Sequence, residues 1–210
     1  MNTAQKLTVI AQNQQKVYDA GLKKGMTDEQ KRFWNNYQYW GKRNLYQYAF
    51  FDYEWNDTIY NPIYPIKSIN ANYIFQSSTI TDTKVTVDLS ECTAMAYNTF
   101  NNCKDLVTVR KLIVNENMAY NSFWTNCISL KNLTVEGTIG KSINFAQSPL
   151  SVESMKSVIS CLKDYSVQNT GVYSLTLKDE CKTALEAEGA TSPNGNLWTE
   201  YVSDLGWVLA

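Results

Sequence analysis

An internal repeat constrains this chain more than any other feature. The segment "AYNTFNNCKDLVTV" (Ala96 to Val109) returns as "AYNSFWTNCISLKNLTV" (Ala119 to Val135). Both read Ala-Tyr-Asn-Ser/Thr-Phe, then two or three residues, then Asn-Cys-x-x-Leu. Phe100 and Phe123 are 23 residues apart, whereas Cys103 and Cys127, like Leu106 and Leu130, are 24 apart. The one-residue difference is expected between the Phe and the Cys, where a loop absorbs it. Fainter copies place Phe75 25 residues before Phe100 and Phe145 22 residues after Phe123. In an array of this period each copy supplies a short strand and a return segment, and neither buries its apolar face alone. Stacking then puts Phe on Phe, Cys on Cys and Leu on Leu. Asn102 and Asn126 are expected to bond the turning backbone. The Cys after each is expected to be a small buried apolar residue. Strands are expected at Val85–Leu89, Lys111–Val114, Asn132–Val135 and Val172–Leu177, all short and rich in Val, Leu, Ile or Thr.

A short array exposes its core at both ends, so terminal elements must cover it. On the C-terminal side, "SVESMKSVISCLKDY" carries Val152, Met155, Val158, Ile159 and Leu162 at helical spacing, with Ser151 as N-cap and Glu153 in the first turn. "DECKTALEAEG" reads as a second helix stopping at Gly189, "SPNGN" as a loop, and "LWTEYVSDLGWVLA" as a short helix, a break at Gly206 and a strand-like tail. On the N-terminal side, 13 of the chain's 27 aromatic residues fall between Phe33 and Tyr64. Thr27 and Gln30 form a capping-box pattern. Phe33, Tyr37 and Trp40, then Tyr46, Phe50 and Tyr53, make helical stripes suited to a lid on the open end. Tyr39, Tyr48, Phe51, Trp55 and Tyr60 lie off those stripes and are candidate binding residues, since exposed Tyr and Trp serve interfaces and stack on sugars. The first helix, about Thr3 to Gly21, carries a thin seam of Leu7, Ile10, Val17 and Tyr18 suited to docking or oligomerisation, or to packing on its own domain.

The two central segments resemble the "AFxxCxxL" core of BspA-type leucine-rich repeats, found in surface proteins of gut bacteria and in proteins of their phages and prophages. The layout resembles small phage-encoded members of that group. The residues that match are Ile10 to Gly21, Phe33, Trp34, Gly41, Arg43, Tyr46, Ala49, Phe50, Pro62, Tyr64, Ile66, Gly206 and Trp207. The chain departs from longer members in having three to four copies and no Ile-Pro turns, which argues against an extended concave surface. The resemblance implies an α/β repeat fold: a short leucine-rich-repeat solenoid with a helical, aromatic-rich N-terminal cap and an α/β C-terminal cap. The expected division is 1–24 for the first helix, 25–70 for the aromatic cap, 71–150 for the repeats and 151–210 for the C-terminal cap.

Composition excludes several chemistries. The net charge is −1, and the densest basic clusters are Lys23–Lys24 and Lys42–Arg43, so phosphate-driven nucleic-acid binding is not expected. No stretch is apolar and long enough to span a membrane, and the start does not read as a signal peptide. The five cysteines (Cys92, Cys103, Cys127, Cys161 and Cys181) form no Cys-x-x-Cys, so buried thiols are expected rather than disulfides or zinc. With no histidine, the commonest general base and metal ligand is missing, and no cofactor is expected. "GTIGKS" (Gly137 to Ser142) lacks the spacing of a phosphate loop. Asp52, Glu54 and Asp57, set among aromatics, are the carboxylates a glycan hydrolase would need.

The chain therefore reads as a non-enzymatic recognition or structural protein that presents a rigid repeat face to a protein or surface glycan. The resemblance points to a virion-associated role, in tail or baseplate, with assembly in the cytoplasm of the producing bacterium. The alternatives are a phage-made intracellular inhibitor of a host defence protein, and a glycan hydrolase.

Overall fold

The computed structural model describes residues 66–67, 72–83, 86–92, 96–167 and 172–210. These form a mixed α/β structure with two small parallel sheets and three helices. The first sheet has the order β1 (Ile66–Lys67), β2 (Thr86–Asp88), β3 (Thr108–Val114), β4 (Asn132–Gly137). The second contains β5 (Ile143–Phe145), β6 (Ser174–Leu177) and β7 (Val208–Leu209). Helices α1 (Val152–Ser160), α2 (Asp179–Glu186) and α3 (Trp198–Asp204) follow β5, β6 and the loop after α2.

Successive copies stack in register. Val87 pairs with Leu112, and Leu112 with Val135, so one row of aliphatic residues crosses the sheet and faces the core. The return segments run alongside as a second ladder of backbone bonds. Phe75 N donates to Thr99 O at 2.8 Å and Phe100 N to Phe123 O at 3.1 Å, with Ala96 N to Ala119 O and Asn102 N to Thr125 O beside them. Between sheet and ladder lies one buried core that continues to Trp207.

The ladder corrects the repeat alignment. Each return segment has two residues in the left-handed region: Tyr73 and Ser77, Asn98 and Asn102, Ser122 and Asn126. Counting from these, Trp124 and not Phe123 is the partner of Phe100. The ring column is Phe75–Phe100–Trp124–Phe145, with centroids 4.9, 4.9 and 5.5 Å apart and every pair stacked. Phe123 packs edge-on against Trp124 in the position of Thr99, and Tyr120 takes that of Ala96. The expected column of four phenylalanines is thus overturned at one rung. The extra residue sits in β3, where a bulge breaks the register between Val109 and Leu112. Asn102 and Asn126 hold their places because Asn tolerates a positive φ at little cost (+60° at both).

No disulfide forms among the cysteines; all are buried except the half-buried Cys161, and Cys103 and Cys127 act as donors. Cys103 Sγ donates to Phe75 O at 2.8 Å and Cys127 Sγ to Phe100 O at 3.0 Å, so each thiol satisfies a carbonyl of the preceding copy. Burial pushes the Cys103 thiol from 9.0 up to about 12, and pushes Cys127 up as well. Above pH 9 the unfolded chain loses these protons while the folded chain keeps them. Stability is therefore complete below that pH and falls as it rises toward 12, by roughly 1 kcal/mol per pH unit for each such thiol. Chemical denaturation between pH 8 and 11 is expected to show this decline, and Cys103→Ser to flatten it.

Helix α1 closes the free edge of β4. Ser151 caps it as expected, accepting from Ser154 N, with Glu153 in the first turn. Its buried stripe is Met155, Val158 and Ile159. The serines beside that stripe bond the strand. Leu133 N donates to Ser154 Oγ at 2.8 Å and Val135 N to Ser157 Oγ at 2.9 Å, while Ser154 Oγ donates to Lys131 O and Cys161 Sγ to Val135 O. Hydroxyls thus take the place of the next strand's backbone. The chain then crosses to the second sheet, where β5 pairs with β6 and β6 with β7. The strand expected from Val172 begins at Ser174 because Tyr173 turns toward Tyr165 and Trp207, with centroids 5.1 and 5.8 Å away.

Candidate recognition surface

The solvent face of the first sheet is the most structured exposed feature among the described residues. Alternation makes Val109, Leu112 and Val114 of β3 point inward. The bulge between Val109 and Leu112 leaves two consecutive residues, Arg110 and Lys111, on the outer side. Bulges re-aim side chains in this way. Arg110 forks onto Asp82, with Nε to Oδ1 at 3.0 Å and the terminal nitrogen to Oδ2 at 2.7 Å. Lys111 reaches the other way to Glu136 on β4 at 2.7 Å. The result is a strip of paired charge across neighbouring copies, acid–base–base–acid. Asp88, Ile113 and Glu136 share the next row, and Asn132 Nδ2 donates to Thr108 Oγ1 at 3.3 Å.

Such ion pairs contribute little to stability, since they stand in water. Their value lies in fixed geometry. A bidentate Arg on a sheet holds both charges in fixed positions. Among the described residues no group of three or more His, Cys, Asp or Glu is placed to hold a metal. Nor is any described helix long and apolar enough to cross a membrane.

The strip was within reach of sequence reasoning. In "VTVRKLIV" the apolar residues Val109 and Leu112 are three apart where strand alternation requires two, which marks an extra residue between them. "GTIGKS" is also explained. Gly137 has φ +94°, and a Cβ there would collide with Val114 O; at Gly140 it would collide with Glu116 O. Gly137 lets the end of β4 press on the end of β3, and Gly140 does the same for the segments that follow, so both serve backbone packing.

The candidate binding residues Tyr39, Tyr48, Phe51, Trp55 and Tyr60 lie outside the described residues, as do Leu7, Ile10, Val17 and Tyr18 of the first helix. Asp52, Glu54 and Asp57 lie outside them as well. Comparison with family models, with curated proteins and with solved structures returns no significant match for this chain.

Proposed function

We propose that this chain is a short BspA-type leucine-rich-repeat solenoid. Its work is recognition, without catalysis: a virion-associated protein of tail or baseplate that holds a partner protein or surface glycan against the sheet. The repeat reading is supported by the two parallel ladders and the continuous ring column. The recognition reading is carried by one observation: the β3 bulge presents Arg110 and Lys111 side by side on a rigid face, each oriented by a carboxylate.

Reversing both charges, Arg110→Glu with Lys111→Glu, is expected to weaken binding to isolated phage particles or host envelope at least about tenfold. The thermal midpoint is expected to move only a few degrees, because exposed pairs contribute roughly 0–1 kcal/mol each. Sedimentation of labelled protein with each fraction measures the first, and a melting curve the second. Equal binding by the variant would overturn the assignment of this face.

A further inference from the structure

We infer that a second site lies where the return-segment ladder ends, and that it takes a single neutral sugar unit. A depression of about 290 Å³ is lined there by Trp124, Thr125, Asn144, Ala146 and Gln147. All of these but Trp124 are exposed, so the depression opens to solvent. Its size is at the small end of ligand pockets, enough for one ring rather than a chain.

The site arises from a break in the repeat. In the earlier rungs a backbone carbonyl receives the amide of the left-handed residue: Ser77 N donates to Asn101 O and Asn102 N to Thr125 O, both at 2.8 Å. At the last rung the chain leaves for the second sheet, and the side chain of Gln147 takes that role, accepting from Asn126 N at 2.6 Å. The backbones part here, and the depression forms between them. Asn144 is held similarly, its Oδ1 accepting from Ala146 N at 2.8 Å. Backbone donors fix which end of each amide is oxygen. Asn144 Nδ2 and Gln147 Nε2 are therefore the groups left to donate, with the hydroxyl of Thr125 between donor and acceptor roles. The Trp124 indole N–H also has no acceptor within the protein, but it is buried and not open to a ligand.

This donor set selects an acceptor-rich ligand. There is no cation in the lining to favour an acid, and no carboxylate to favour a base. Trp124 is stacked between Phe100 and Phe145 and is buried, so it floors the depression and offers no exposed face for a flat ring. Oriented amides and one hydroxyl match the hydroxyls and ring oxygen of an uncharged hexose. The inference deepens the recognition reading and rests on it, but it uses residues separate from the charged strip.

The test is titration of the full-length protein with methyl glycosides of glucose, galactose and N-acetylglucosamine, followed by NMR of indole and side-chain amide protons. Saturable shifts of the Trp124, Asn144 and Gln147 signals, with a Kd of roughly 1–10 mM for at least one glycoside, are expected. Asn144→Asp with Gln147→Glu keeps both oxygens on their backbone amides and removes the donors, so the fold is retained. It is expected to weaken binding at least tenfold. The proposal is overturned by no saturable shift, by a double variant that binds equally well, or by preference for acetate or a blocked dipeptide over every glycoside. Loss of sugar binding with charge-reversal effects intact would remove this site alone; the reverse pattern would remove the sheet face alone.

Discussion

Deleting Trp124 is expected to destabilise the protein by about 3–5 kcal/mol, the cost of removing a large buried ring, while deleting Arg110 costs about 1 kcal/mol or less. The contrast separates two alignments of the same repeat. On sequence alone Trp124 is the surplus residue, since its removal turns "AYNSFWTNC" into a match for "AYNTFNNC". In the structure Trp124 fills the rung between Phe100 and Phe145, and the surplus lies in the β3 bulge. Without Trp124 either Phe123 slides into the column and leaves its own buried place, or Thr125 enters it. Both outcomes lose ring contacts that Phe100 and Phe145 make. Without Arg110 the strand regains simple alternation and loses one exposed ion pair. Urea unfolding of the two deletions measures the difference; similar losses would restore the sequence-based register.

Gly137→Ala is expected to cost about 3 kcal/mol or more. Two penalties add. A φ of +94° is unfavourable for any residue with a Cβ, by roughly 1–2 kcal/mol. The methyl group also collides with Val114 O, an atom fixed in a backbone ladder, and overpacking of this kind costs about 1–3 kcal/mol. The thermal midpoint should fall by roughly 6–12 °C, at 2–4 °C per kcal/mol for a chain of this size. Gly189→Ala is the control. It shares the positive φ, +73°, but nothing lies within 4 Å of its Cβ, so it should show the backbone penalty alone. Equal losses at the two positions would mean that the Val114 contact is not constraining.

Local signals carried much of the fold. Ser151 and the stripe Met155–Val158–Ile159 gave α1 because a helix start and a 3.6-residue period are both written in adjacent residues. Asp179–Glu186 and Trp198–Asp204 were legible for similar reasons. Most strands were placed, but β1 was not expected, and β3 is longer than expected, Thr108–Val114 against Lys111–Val114, since Arg110 and Lys111 interrupt its pattern. β5 was missed. "INF" is too short to stand out, and it becomes a strand only because Ser174–Leu177, about thirty residues later, pairs with it. Trp124 was misread for a related reason. Matching letters favour Phe over Phe, whereas the backbone counts residues from its left-handed turns. The depression beside Trp124 had no sequence signal. It depends on two amides bonding backbone across 21 residues and across two, which no linear pattern records.

The hydroxyl contacts of α1 have a consequence for the outer edge of the first sheet. A helix spends its own amides and carbonyls internally and ordinarily offers nothing to a neighbouring strand. Here Ser154 and Ser157 supply that offer, so β4 is finished by a plug that does not present a fresh edge of its own. The β4 edge is thereby covered against pairing with a strand of another molecule.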